Sequence, residues 1–125
     1  MLRACRRVAK RGARMAFGVV SVAPDLSEDE KRRAVELGPE FVEAEAPYEV
    51  LLEGSGWQIV DRIDVTEGYR RSAHEMLVET EARSRELTGL LGAAGLEELL
   101  VRRRATSAGV GEGLIRRDLF VANAV

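Results

Sequence analysis

Residues 13–22 read Ala13-Arg-Met-Ala-Phe-Gly-Val-Val-Ser-Val22, and the run is apolar on both alternating faces. A strand with one wet face alternates apolar with polar; a strand covered on both sides does not, and such strands belong to parallel sheets with helices on each face. Pro24 and Asp25 end the run. The expected class is therefore α/β, with this strand inside it.

Upstream, Met1–Arg11 (MLRACRRVAKR) reads as a helix, with Leu2, Cys5, Val8 and Ala9 on one face and Gly12 as its stop. The first 14 residues carry six basic groups and no acid, a composition that also fits a transit peptide. The apolar strand follows with no cleavage-like linker, which favours a structural amphipathic helix.

Downstream, Ser27 and Glu30 form a Ser-x-x-Glu capping box for a helix to about Leu37, closed by Gly38 and Pro39. The acidic stretch 40–46 has no decisive pattern. Pro47 suits the first position of a short helix with Tyr48, Leu51 and Leu52 on its apolar face, ended by Gly54-Ser-Gly56. Residues 57–65 (WQIVDRIDV) read as a second strand, with Trp57, Ile59, Ile63 and Val65 sharing a face that Asp61 interrupts. A long helix is expected over Glu67–Leu91, with Tyr69, Ala73, Met76, Leu77, Thr80, Leu87 and Leu91 in one stripe. Another, carrying Leu99 and Leu100, is expected from about Leu96 to Ser107. Residues 117–124 (RDLFVANA) read as a third strand. No repeat or flexible linker divides the chain, so 1–125 is expected to form a single domain.

Composition narrows the function classes. Hydrophobic residues at 46% and charged residues at 32% exclude a chain disordered throughout. A net charge of -2 gives no global field toward nucleic acid or an acidic membrane. The longest apolar run, Met15–Val22, falls far short of the roughly 20 residues a membrane span needs, so no membrane partner and a cytoplasmic location are expected. One cysteine, Cys5, and one histidine, His74, exclude an internal disulfide and a thiolate or imidazole metal cluster within one chain. Lys10 and Lys31 are the only lysines, which reads as the coding bias of a GC-rich genome.

Gly109-Val-Gly111-Glu-Gly113 invites a nucleotide-loop reading. Such a loop must follow a buried strand, open a helix and be followed roughly 20 residues later by an acid for the ribose. Here Arg102-Arg-Arg104-Ala-Thr-Ser precedes it and only 12 residues follow, so a flexible helix-to-strand junction is expected. His74 has the chemistry of a general base but sits off the apolar stripe, with Glu75, Glu79 and Glu81 as neighbours. Cys5 has cationic neighbours, yet lies on the apolar face and reads as a small buried hydrophobe. Arg102–Arg104 and Arg116-Arg117 lack interleaved aromatic residues, so no nucleic-acid partner is expected. Gly54-Ser55-Gly56 lies on a helix-to-strand turn and is no nucleophile elbow. No residue is assigned a catalytic role.

Three segments in order carry a more specific pattern: Arg7-Val-Ala-Lys-Arg-Gly-Ala-Arg-Met-Ala-Phe17, Tyr48-Glu-Val-Leu-Leu-Glu-Gly-Ser-Gly-Trp57 and Ile59-Val-Asp-Arg-Ile-Asp-Val-Thr66. Together they resemble the C-terminal half of the class I S-adenosylmethionine-dependent methyltransferases. In that family a helix and a Pro-Gly-Gly turn lead to the fifth strand, a Gly-Phe helix end leads to the sixth, and a seventh, antiparallel strand follows. Lys10-Arg11-Gly12-Ala13 stands in place of the Pro-Gly-Gly turn, and Trp57 where Phe is commoner. Ala23-Pro-Asp-Leu-Ser27, Asp64-Val-Thr-Glu-Gly-Tyr-Arg70, the Arg102–Arg104 helix and Gly113-Leu-Ile-Arg-Arg-Asp-Leu-Phe-Val-Ala122 extend the resemblance to an actinobacterial-type group.

The resemblance implies a partial Rossmann-like methyltransferase sheet of about three strands, the last antiparallel, with covering helices. It implies S-adenosylmethionine as cofactor and a small-molecule acceptor. The parts that hold the cofactor in that family would lie upstream of Met1, so this chain alone is expected to bind none and to be inactive. Tyr69 and His74, early in the long helix, are the candidates to line an acceptor pocket. The first strand is expected to leave an unpaired edge, to be covered by a complementing upstream half or a second copy. The alternative is a non-enzymatic α/β interaction module that binds a partner through that edge.

Overall fold

The computed structural model describes residues 1–40 and 42–125. Phe41, in the acidic stretch, lies outside the described residues. The elements run α1 (Leu2–Val8), β1 (Arg14–Val22), α2 (Glu28–Leu37), α3 (Tyr48–Glu53), β2 (Trp57–Asp64), α4 (Thr66–Ala82), α5 (Ser84–Gly111) and β3 (Ile115–Ala124).

The three strands form one sheet in the order β1-β3-β2, and β3 is antiparallel to both neighbours. β1 and β2 therefore run parallel to each other with the reversed strand between them. The class is α/β, an open three-stranded Rossmann-like sheet whose last strand in sequence is antiparallel, with covering helices. β1 stands at one edge of the sheet, and its outer side pairs with no strand among the described residues.

Alternation along β3 assigns the layers. Asp118, Phe120, Ala122 and Ala124 are buried on one face. There Phe120, Ala122 and Ala124 join Val19, Leu52 and Trp57, with Leu2 and Cys5 of α1, Ala9 just past its end and Tyr48 of α3 packed against them. On the other face Ile115 joins Ala34 of α2, Val110 of α5 and Leu114, with Val20, Val22, Leu37 and Tyr69 alongside. Cys5 thus packs against the first of these clusters as a small hydrophobe, partly rather than fully buried. Val8, expected beside it, is 86% exposed, because α1 ends there and turns away.

Burial of β1 on both faces holds for its second half. Ala16 and Gly18 are exposed, because α4 and α5 meet the sheet only at their base, where Gly109 and Val110 lie by Ile115. Ser27 caps α2 as expected: its hydroxyl accepts from the Glu30 N–H at 3.1 Å, and the Glu30 carboxylate accepts from the Ser27 N–H at 3.0 Å. Pro47 precedes α3 as its N-cap rather than opening it.

Three boundaries differ from the sequence reading. The helix expected over Glu67–Leu91 does break at its expected end, at Gly92, whose φ of 76° and ψ of 166° leave the helical region, but it is also broken earlier, at Arg83, so that α4 and the second part of α5 pack antiparallel. The last helix continues past Ser107 to Gly111, so Gly109 and Gly111 are helical residues and only Gly113 sits in the turn before β3. The third strand starts at Ile115.

β2 holds the fourth difference. Its register with β3 slips between Ile59 and Asp61. Trp57 and Ile59 face Ala124 and Ala122, but beyond the bulge Arg62 faces Phe120, and Ile63 joins Leu119 on the opposite side. One extra residue reverses which face each later side chain takes. Ile63 therefore does not share a face with Trp57 and Ile59, and it is 42% exposed.

Candidate functional site

The bulge turns Arg62 and Asp64 toward the face where Asp118 is buried. Asp118 is 1% exposed. Arg116, two residues earlier on the same strand and face, donates Nε to Asp118 Oδ2 at 2.8 Å and Nη2 to Oδ1 at 2.6 Å. Arg62 Nη2 adds a longer bond at 3.4 Å, and Arg62 Nη1 pairs with Glu49 of α3. Arg116 also lies 3.4 Å from Asp64. The Arg62 guanidinium stands 5.3 Å from the centroid of the Phe120 ring. Burial weighs most on Asp118 and disfavours its charge, yet the hydrogen bonds from Arg116 and Arg62 outweigh it and hold its carboxyl below the ordinary value. The bond to Asp118 raises Arg116 in turn.

This ion cluster floors a cavity of about 640 Å3 at the carboxyl end of β1. Val19, Val35, Val42 and Tyr48 give it apolar walls, and the exposed Glu43 and Glu45 border it from the loop before α3. Cavities of this size hold small organic ligands, and in open α/β sheets ligands collect at the carboxyl ends of strands.

The structure does not bring the two sequence candidates together. Tyr69 is half-buried at the base of α4, where Arg117 stacks over its ring at 5.5 Å. Burial raises its hydroxyl above the ordinary value, and the nearby Arg117 charge pulls the other way. His74, five residues on, points about 140° away around the helix. It is exposed and borders a shallow groove of about 360 Å3 with Arg70, Arg71, Glu75, Ser107 and Gly111. Neither residue lines the larger cavity.

The other motifs resolve locally. Gly109 is buried in α5, and a Cβ there would stand 2.5 Å from Ile115 Cδ1. The glycine-rich stretch is thus the expected helix-to-strand junction, with Gly109 packed in the helix end, and it neither follows a buried strand nor opens a helix as a dinucleotide loop must. The arginines disperse: Arg104 lies 3.8 Å from Glu81, Arg116 binds Asp118, and Arg117 covers Tyr69. Gly56 accepts from Arg6 Nε at 3.1 Å, so Gly54-Ser-Gly56 anchors the turn into β2. Among the described residues no helix is long and apolar enough to cross a membrane.

By sequence, no known protein family and no curated protein matches the chain. By structure, several solved proteins do. A protein of Galdieria sulphuraria assigned as a sarcosine dimethylglycine methyltransferase matches with a TM-score of 0.82 at 12% identity, over 98% of this chain and 45% of its own. A mycolic acid cyclopropane synthase, solved with S-adenosylhomocysteine, matches at 0.81 and 9% identity, over 98% and 48%. A phosphoethanolamine N-methyltransferase of Haemonchus contortus, bound to phosphomonomethylethanolamine and S-adenosylhomocysteine, matches at 0.77 and 14%, over 98% and 29%. At such identities the likeness is one of fold, and the chain spans less than half the length of each.

Proposed function

We propose that this chain supplies the acceptor-side portion of an S-adenosylmethionine-dependent methyltransferase of the class I, actinobacterial type: strands and covering helices that do not hold the cofactor by themselves. The observation that carries the reading is the reversed β3 between parallel β1 and β2, in a chain that superposes along 98% of its length on a protein assigned as a methyltransferase. Transfer of a methyl group from a sulfonium depends on aligning donor and acceptor away from water. The one glycine-rich stretch, Gly109–Gly113, is committed to helix packing and a turn. A complementing polypeptide would bring the cofactor loop and cover the outer side of β1. Tyr69, half-buried at the base of α4, is proposed to border the acceptor, a small molecule; His74, on another side of the same helix, would not touch that molecule with it.

Calorimetric titration of the chain with S-adenosylmethionine tests this. No saturable heat is expected alone, and binding is expected once the chain is joined to a segment carrying a strand and a Gly-x-Gly-x-Gly loop. Saturable micromolar binding by the chain alone overturns the reading.

The free edge of β1 favours a second reading, a non-enzymatic module that binds a partner strand or dimerises through that edge. A monodisperse monomer in light scattering at high concentration counts against it.

A further inference from the structure

The net charge of -2 hides an uneven distribution. Residues 1–14 hold six of the 19 basic residues and none of the 21 acidic ones, which leaves 13 cations against 21 acids in the rest of the chain. Folding neutralises the second group and not the first. Among the described residues, eight of those 13 cations lie within ion-pair distance of a carboxylate, whereas none of Arg3, Arg6, Arg7, Lys10, Arg11 and Arg14 does. Arg6 turns inward, donating Nε to the Gly56 carbonyl and Nη1 to that of Ala9, and Arg14 donates to the Asn123 amide oxygen. Arg3, Arg7, Lys10 and Arg11 are exposed. Unpaired cations gathered on one helix and its following turn make a local field that net charge does not register.

The patch is held in place. Leu2 and Cys5 pack on the core, and Trp57 Nε1 donates to the Leu2 carbonyl at 3.1 Å. This fixes the outward face of α1: Arg3 and Arg7 one turn apart, and beside them Ala4 and Val8, also one turn apart. Val8 is 86% exposed and Met1 82%, although both are apolar. A nucleic acid would leave Val8 and Met1 unused, and residues 1–14 hold no aromatic ring to stack on bases. An anionic bilayer uses both features: its phosphates take the cations, while apolar side chains and arginine stems settle at the level of the headgroups. The patch sits where β1 begins and β3 ends, with the Gly12 N–H bound to the Ala124 carbonyl, at the opposite end of the sheet from the cavity.

We infer that the outward face of α1 and its following turn, Arg3, Ala4, Arg7, Val8, Lys10 and Arg11, docks on an anionic phospholipid bilayer, with the carboxyl end of β1 facing away. Net charge and span length, on which the expectation of no membrane partner rested, register no peripheral contact of this kind. The inference concerns where the molecule sits, not what it takes as acceptor, and is independent of the methyltransferase reading.

The full chain is floated on a density gradient with vesicles of phosphatidylcholine alone and of phosphatidylcholine and phosphatidylglycerol in equal parts, so that self-associated protein sinks away from bound protein. Flotation is expected with the mixed vesicles alone, and only at low salt. Each cation near such a surface contributes about fivefold to partitioning, so R3Q/R7Q should weaken binding about twenty-fivefold and R3Q/R7Q/K10Q/R11Q more than about a hundredfold. R32Q/R71Q/R85Q/R102Q removes the same charge from exposed sites elsewhere and should change binding less than about threefold. V8S leaves the charge untouched and should weaken binding about threefold. All of these replace exposed side chains, and thermal melting checks that each variant folds. Equal flotation with phosphatidylcholine alone, none with the mixed vesicles, an equal loss in the remote quadruple variant, or unchanged binding by V8S would each overturn the inference. So would a duplex oligonucleotide that strips the chain from the vesicles at matched phosphate concentration, which would assign the patch to nucleic acid.

Discussion

Asp118 is the residue on which most depends. It ties β3 to β2 through Arg62 and, through the same guanidinium, to Glu49 of α3. Removing one member of a buried ion cluster leaves the others uncompensated. D118A is expected to lower stability by about 3 kcal/mol in urea unfolding. The pH dependence has a definite sign. Asp118 has a folded-state pKa below its unfolded value, so its contribution is fully present above the ordinary carboxyl range and is lost as pH falls through the folded value. The acid side of the stability profile should therefore flatten in the variant. Two glycines offer a contrast between steric and backbone causes. At Gly109 the helix is regular but Ile115 leaves no room for a Cβ, so G109A should cost about 1–3 kcal/mol through overpacking. At Gly92 nothing lies within 4 Å, yet φ is 76° and ψ 166°, a region essentially confined to glycine, so G92A should cost about 1–3 kcal/mol through the backbone alone. Relieving Ile115 with I115V should rescue the first variant and leave the second unchanged.

Elements written by short-range chemistry were legible in the sequence. The Ser27–Glu30 box fixed the start of α2, and S27A should cost about 1 kcal/mol in thermal unfolding. The β1 run and the alternation of Phe120, Ala122 and Ala124 placed two strands. What escaped had no local mark. The β2 bulge sits beside Val60, an ordinary strand residue, and only pairing with β3 reveals it. The helix break at Arg83 carries neither glycine nor proline, so of the two breaks only the one at Gly92 had a mark in the sequence. The ion cluster escaped because Glu49, Arg62 and Asp118 are 13 and 56 positions apart, and only the bulge turns Arg62 to the correct face. One signal was present: Asp118 falls in the same phase as Phe120, Ala122 and Ala124, where a charge in a buried row calls for a partner.

At the scale of the whole molecule, the outer side of β1 governs behaviour in solution. With Met15, Phe17 and Val19 in that strand, the chain alone is expected to self-associate with rising concentration in light scattering, and a complementing segment should suppress this. The strand order also sets a schedule. β1 and β2 never touch as partners; each pairs only with β3, which leaves a ribosome after both. Val19 must wait for Asp118, almost a hundred residues later. Until then two apolar strands have nothing to pair with, and only the helices can form from nearby contacts. A chain stopped at Gly111 should keep helical circular dichroism yet lose protease protection over residues 14–22. The sheet of this protein thus cannot be assembled piecemeal during synthesis: its middle arrives last, and a chaperone or a partner held against β1 would have most to do in that interval.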